Sequence, residues 1–128
     1  MRILIAITGA SGAIYTQRLL DRLDGSGHEV HVILSSYAHM VLQQELPEGL
    51  QLPEGAQQHS IKSMNVPFAS GSSAADVMVV IPCSMGTMGR IAHGYSENAL
   101  LRAAEQLGRP IERILVTPPP PIGRAHVS

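Results

Sequence analysis

Short aliphatic runs alternate with amphipathic segments along the chain. The runs predict buried strands at residues 3–7, 29–34, 76–81 and 114–116. Apolar residues at helical spacing predict helices over 11–24, after Ser35-Ser36, from about 87, and over 98–107, and residues 47–55 are turn-rich. Strands that alternate with helices indicate an α/β domain with a parallel sheet and right-handed crossovers.

Small and hydroxyl-bearing residues follow three of the predicted strands. Ligands of parallel sheets bind beyond the carboxyl ends of the strands, where helix N-termini present free N–H groups to anions. The pattern therefore predicts a phosphate-binding site. Its three segments are Gly9, Ala10 and Ser11; Ser35 and Ser36; and Ser84, Met85, Gly86 and Thr87.

The first segment invites comparison with the glycine-rich turn of dinucleotide-binding proteins. Counted from Gly9, however, Ser11 and Ile14 stand where the second and third glycines of GxGxxG would be. Ser35 ends the second strand in place of the acidic residue that binds an NAD ribose. No tyrosine lies four residues before Lys62, the only lysine. These departures disfavour an NAD(P) enzyme.

Composition narrows the function classes further. The 128 residues are 45% hydrophobic and 3% aromatic, so we expect an aliphatic core, and the formal net charge of −1 argues against a nucleic-acid surface. A single cysteine, Cys83, excludes an internal disulfide and fits a reducing compartment. No apolar stretch reaches the length of a membrane helix, and the six histidines are scattered. We expect a cytoplasmic protein with no membrane segment and no metal site.

Four blocks of sequence resemble the flavin prenyltransferases of the UbiX/Pad1 type over roughly residues 1–105. The blocks are ITGASGAIYTQRLLDRL, HVILSSYAHMVLQQE, ASGSSAADVMVVIPCSMGTMGRIAHGY and NALLRAAE. The resemblance implies a flavodoxin-like or Rossmann-like three-layer fold that binds FMN, commonly in dodecamers. It also implies transfer of a dimethylallyl group from dimethylallyl phosphate to reduced FMN, the product serving a UbiD-type decarboxylase.

The same resemblance implies roles for individual residues. Gly9, Ala10 and Ser11 would hold the flavin, with Ser11 also near the reacting groups, and Ser35 would contact FMN. Glu45 would face the prenyl pocket, often from a neighbouring subunit, so Ser11 and Glu45 are the catalytic candidates. The flavin would also be lined by Ser84, Met85, Gly86 and Thr87.

Each of these residues also has a simpler interpretation. Ser11 and Ser35 are common helix N-caps, and a glutamate at a helix end, such as Glu45, is often only solvated. Cys83 is expected to be a small buried residue beside a strand end, because no cation adjoins it to lower its pKa.

After Glu105 we expect the resemblance to the family pattern to end. We predict a flavoprotein domain over residues 1–117 and a proline-rich divergent tail over 118–128. A frameshift or truncation is favoured over a divergent member, because prolines stand where the family has a core strand and helix. We therefore expect poor prenyl transfer by this chain. The alternatives are a non-catalytic FMN-binding protein and a relative of the flavin-dependent cysteine decarboxylases, of whose motifs Met64-Asn65 is the only echo.

Overall fold

Parallel strands form one sheet in the computed structural model of the protein, which describes residues 1–61, 75–93 and 114–116. The strands are β1 (Arg2–Ile7), β2 (Glu29–Leu34), β3 (Gln57–Ser60), β4 (Val77–Val80) and β5 (Ile114–Val116), and the helices are α1 (Ala13–Leu23), α2 (Ala38–Glu45) and α3 (Met85–Ala92). The described strands are ordered β3-β2-β1-β4-β5. This is the order of the Rossmann fold, and the predicted α/β fold is confirmed.

The connection from β3 to β4 reverses the direction in which strands are added. The sheet grows from β1 outward to β2 and β3, and the chain then returns to the other side of β1. In doubly wound sheets the crevice at such a switch point is where ligands bind. Here the switch point lies at the carboxyl ends of β1 and β4.

Both faces of the central strands are buried, which explains their nearly unbroken apolar runs. One face packs against α1 and α2 in a cluster that includes Ile3, Ile5, Ile7, Val32 and Leu20. The other face is equally inaccessible to solvent, and its residues at 0% exposure include Leu4, Ala6, Ile33, Met78 and Val80. The expected aliphatic core is therefore present among the described residues.

Strand β3 and the start of helix α3 differ from the sequence predictions. Strand β3 was not predicted, because its Gln-Gln-His-Ser sequence has no apolar alternation and it pairs only with β2 among the described strands. Helix α3 begins at Met85, two residues before the predicted Thr87. The predicted helix over 98–107 and the tail over 118–128 lie outside the described residues. No helix in the described segments is long and apolar enough to cross a membrane.

Candidate functional site

The loops after β1, β2 and β4 meet at the carboxyl edge of the sheet, because these three strands are neighbours. Gly9 in the first loop lies so close to the second that an added Cβ would be 2.5 Å from the Cβ of Tyr37. No real Cβ approaches another carbon so closely, so only glycine fits this position. The predicted convergence of the segments at Gly9 and Ser35 is thus visible in the backbone.

A buried threonine joins the first loop to the third. The Oγ1 of Thr8, a residue 2% exposed, donates to the carbonyl of Pro82 at 2.7 Å and accepts from the N–H of Ser84 at 2.7 Å. The N–H of Thr8 donates to the same Pro82 carbonyl at 3.2 Å. The end of β1 and the start of α3 are therefore held together through one side chain.

The N-terminus of α1 is occupied by a carboxylate from the chain itself. The N–H groups of Gly12 and Ala13 both donate to Oε1 of Glu45, each at 3.0 Å. Gly12, with φ 118°, is the N-cap, so the interpretation of Ser11 as a cap is wrong. Glu45 is also more than a solvated helix end. The structure places it beside the glycine-rich loop, while its predicted catalytic role stays a prediction.

The N-terminus of α3 is capped differently, by the side chain of Ser84, the residue directly before the helix. Oγ of Ser84 accepts from the N–H of Thr87 at 3.2 Å and donates to the Thr87 hydroxyl at 3.0 Å. Within the described segments, the N–H groups of Met85 and Gly86 have no acceptor. A Cβ added at Gly86 would meet only the Arg90 guanidinium, at 3.9 Å. Two backbone donors are therefore open to a ligand here.

Helix α2 corrects one sequence prediction. Its N-cap is Tyr37, whose side chain makes no capping bond, and not Ser35 or Ser36. The carbonyl of Ser35 accepts from the N–H of Ala38 at 3.1 Å, and its own N–H donates to Ile7 at 2.9 Å. Ser35 therefore closes the turn through its backbone, because the helix begins one residue later than a Ser36 cap would require.

Exposed apolar side chains surround this edge. Ile14 and Tyr15 lie in the first turn of α1, Tyr37 and Met40 at the start of α2, and Met85 at the start of α3, each at least 48% exposed. Among the described residues, Met1 is the one other large apolar side chain with comparable exposure. Apolar surface of this kind is typical of sites that receive a ring system or another subunit.

Cys83 lies directly before Ser84 and is fully buried. Burial raises the pKa of its thiol to about 11, so the thiol is neutral near pH 7, in agreement with the expected structural role. Its Sγ lies 3.4 Å from the carbonyl of Ser84. Among the described residues, no cation or base contacts the thiol to activate it as a nucleophile.

A histidine pair joins β2 to β3, which is an edge strand of the described sheet. His31 on β2 hydrogen-bonds His59 on β3 at 2.8 Å and Glu29 at 2.5 Å, and Glu29 also binds Arg2. Hydrogen bonds from His31 and Arg2 lower the pKa of Glu29, and burial lowers the pKa of His59. Among the described residues no group of three His, Cys, Asp or Glu side chains could hold a metal ion.

Comparison with known proteins identifies the family. The sequence model of the family named Flavoprotein matches residues 1–124. The chain belongs to the flavoprotein family. This match continues beyond Glu105, where we expected the resemblance to end, and β5 at Ile114–Val116 shows that this part still contributes a strand to the sheet.

Individual relatives agree with this assignment. The chain is 35% identical over 120 residues to the flavin prenyltransferase UbiX of Thermoplasma acidophilum, covering 92% of this chain and 66% of that protein. It spans just under two thirds of the length of this and other curated relatives that it matches.

Two solved structures share the fold closely. One is the dodecameric FMN-dependent UbiX-like decarboxylase from Escherichia coli O157:H7, with a TM-score of 0.83 and 29% identity over 97% of this chain and 70% of that chain. The other is AnUbiX (PadA1) in complex with FMN and dimethylallyl pyrophosphate, with a TM-score of 0.79 and 30% identity over 96% of this chain and 67% of that chain.

Sequence reasoning missed two buried threonines near this edge of the sheet, of which Thr8 contacts Ser84. Thr8 and Thr16 are buried hydroxyls within otherwise apolar surroundings, at 2% and 0% exposure. Oγ1 of Thr16 donates to the carbonyl of Ile81 at 2.8 Å. The available signal was weak: a hydroxyl-bearing residue ends the apolar run of β1, and another lies on the buried side of α1.

Proposed function

We propose that this chain binds FMN at the switch point and acts as a flavin prenyltransferase. The expectation of poor transfer rested on a departure from the family pattern after Glu105, whereas the family match extends to residue 124. The reaction joins a dimethylallyl group from a dimethylallyl phosphate ester to reduced FMN, and the product would serve a UbiD-type decarboxylase. The observation that carries the proposal is the pair of open N–H groups at Met85 and Gly86, next to the Gly9–Gly12 loop. The complex of AnUbiX with FMN and dimethylallyl pyrophosphate supports it.

The residues present fit FMN in two respects. The open amides of Met85 and Gly86 lie at the positive end of α3, where a phosphate is stabilised, and Gly86 has no Cβ to cover them. The exposed side chains of Ile14, Tyr37 and Met85 provide apolar surface for a flat ring system. We assign the phosphate to α3 rather than to α1 because Glu45 already fills the N-terminus of α1.

The chemistry needs binding and charge stabilisation from the chain. Transfer would break the bond between the allylic carbon and the phosphate oxygen, so negative charge would grow on the departing phosphate. When bound, reduced FMN supplies the electron-rich ring that accepts the allyl group. Backbone N–H groups and the hydroxyl of Ser11 would stabilise phosphate charge, and the Glu45 carboxylate would stabilise positive charge on the allyl group. Holding both reactants in register lowers the entropic part of the barrier.

We also propose that the chain assembles as a homo-oligomer. The Escherichia coli neighbour is dodecameric, and the exposed apolar side chains at the starts of α1, α2 and α3 leave surface that a second copy could cover. Size-exclusion chromatography with light scattering measures the assembly directly, and a monomer at micromolar concentration would contradict this part of the proposal.

The deciding experiment has a binding step and a transfer step. The purified protein is titrated with FMN by flavin fluorescence, with NADH as the competing ligand, and we expect FMN to bind and NADH not to displace it. The protein is then incubated anaerobically with reduced FMN and either dimethylallyl phosphate or dimethylallyl pyrophosphate. Mass spectrometry of the extracted flavin should show the gain of one dimethylallyl unit. Bound FMN without this product would identify a non-catalytic flavin carrier, and tight NADH binding without FMN would refute the proposal.

A further inference from the structure

Two buried threonine hydroxyls hold the segment between β4 and α3. Thr16 from α1 binds the carbonyl of Ile81, at the beginning of the segment, and Thr8 from the end of β1 binds Pro82 and Ser84, at its end. A hydroxyl has one proton to donate and two lone pairs, so Thr8 can serve both partners at once. Of the two threonines, only Thr8 hydrogen-bonds Ser84, the N-cap of α3.

The two contacts of the Thr8 hydroxyl are not equivalent. The Pro82 carbonyl also accepts from the N–H of Thr8, so it keeps a partner when the hydroxyl is removed. The N–H of Ser84 has the Thr8 hydroxyl as its partner and would lose it. An unpaired N–H in a partly buried place is costly, so Ser84 would shift toward another acceptor or toward water. The first turn of α3 would move with it, because Oγ of Ser84 caps that turn.

We propose that Thr8 is a positioning residue for the flavin site: its hydroxyl fixes Ser84, and through Ser84 the open amides of Met85 and Gly86. The proposal rests on the proposed FMN binding. Thr8 itself is 2% exposed and is not expected to touch the ligand. Its effect is transmitted through the N–H of Ser84 and the direction in which the first turn of α3 points.

Thr16 supplies a matched control. It is the same residue type, it is fully buried, and its hydroxyl donates over a similar distance to the same segment. Among the described residues, its hydroxyl makes no hydrogen bond with Ser84 or with α3. Thr16→Val should therefore lower the free energy of unfolding about as much as Thr8→Val, without displacing the amides of α3.

Cys83 offers a readout that needs no flavin. It is the only cysteine of the chain and lies fully buried between Pro82 and Ser84. Labelling by a thiol reagent under native conditions therefore requires local opening of this segment. In the protein without flavin, we expect Thr8→Val to speed labelling roughly tenfold or more, and Thr8→Ser to label at nearly the wild-type rate.

The second readout is FMN affinity from fluorescence titration of the same variants. We expect Thr8→Val to raise the Kd roughly tenfold, Thr8→Ser to restore it, and Thr16→Val to leave it within about threefold of wild type. Urea unfolding of each variant gives the stability against which these changes are judged. If Thr8→Val does not fold, Thr8→Ala compared with Thr8→Ser isolates the hydroxyl instead.

The outcomes separate this inference from the proposed function. Equal weakening of FMN binding by Thr8→Val and Thr16→Val would overturn it, because the effect would then be one of general stability. Wild-type affinity and wild-type labelling in Thr8→Val would overturn it as well. If the wild-type protein fails to bind FMN, the proposed function is wrong, while the labelling rates still decide whether Thr8 holds Ser84.

Discussion

Helices α1 and α3 begin at the same edge of the sheet, after neighbouring strands, yet their N-termini are occupied differently. At α1 the first N–H groups, of Gly12 and Ala13, already bind a carboxylate that the chain supplies through Glu45. At α3 the cap is the side chain of Ser84, and the next two N–H groups stay open among the described residues.

The N-termini of α1 and α3 both carry the positive end of a helix dipole, but they are not equally available to an anion. Each helix end carries a partial positive charge, but an internal carboxylate neutralises the one at α1. The glycine-rich turn most resembles a phosphate-binding loop, but it leads into α1, whose first N–H groups already bind Glu45. The N-terminus of α3 keeps open N–H groups among the described residues, although its sequence, Ser-Met-Gly-Thr, carries no familiar phosphate signature.

The largest expected effect comes from a negative charge at the open terminus. Ser84→Asp should preserve the fold, because aspartate is as good an N-cap as serine and its charge suits the helix dipole. The same charge would oppose the phosphate of FMN. Two unit charges about 4 Å apart repel by about 4 kcal/mol at an effective dielectric of 20, or roughly a thousandfold in Kd. Fluorescence titration with FMN measures the loss.

Ser84→Asn is the matched control for that variant. Asparagine also caps helices well and is similar in size to aspartate, but it adds no charge. We expect Ser84→Asn to keep most of the FMN affinity, with circular dichroism showing that both variants are folded. Equal affinity of the Asp and Asn variants would mean that the phosphate lies elsewhere, and the contrast between α1 and α3 would lose its functional meaning.

The comparison also shows which parts of the site the sequence could reveal. Local patterns predicted four of the five described strands, including the three that the small-residue segments follow, so the location of the site was predictable. The binding of Glu45 at the N-terminus of α1 was not predictable. Gly12 and Glu45 are 33 residues apart in the sequence and meet only through the packing of α1 on α2. The contact of Thr8 with Ser84 spans 76 residues and carries no local pattern.

Gly9 and Gly86 differ in how closely other atoms approach their backbones, which gives a second contrast. Gly9→Ala would place a Cβ 2.5 Å from Tyr37 and 3.1 Å from its carbonyl carbon, so the backbone of one loop must move. Such overpacking typically costs about 1–3 kcal/mol. Gly86→Ala meets no atom closer than 3.9 Å and replaces a helical glycine, so stability should hold or rise by up to about 1 kcal/mol.

Urea unfolding and FMN titration of this glycine pair give different answers. Gly9→Ala should lose stability and FMN affinity together, because the whole loop shifts. Gly86→Ala should lose affinity alone, because its methyl group lies beside the open amides of α3. If Gly86→Ala binds FMN as well as the wild type does, the amides are not part of the binding site.

The smallest effect on stability is expected at the N-terminus of α1, which binds Glu45. Glu45→Gln keeps an oxygen that can accept from Gly12 and Ala13 but removes the charge that complements the dipole of α1. Charges at helix ends contribute about 0.3–1 kcal/mol, so we expect a loss of stability in that range that shrinks as salt is added. Glu48→Gln, which removes the same charge from an exposed loop residue, should be near neutral. Urea unfolding at low and high ionic strength checks both variants.

Prenyl transfer by the Glu45 variant then separates its two possible roles. If Glu45 only caps α1, transfer and FMN affinity should both stay close to wild type, because less than about 1 kcal/mol of stability is lost. If its carboxylate also stabilises positive charge on the allyl group, transfer should fall by far more than stability while FMN affinity is kept. A rise in phosphate affinity would point to a third result, in which removing the charge turns α1 into a second anion site. Unchanged stability at low salt would show that the carboxylate does not neutralise α1, and the difference between the two helices would then need another cause.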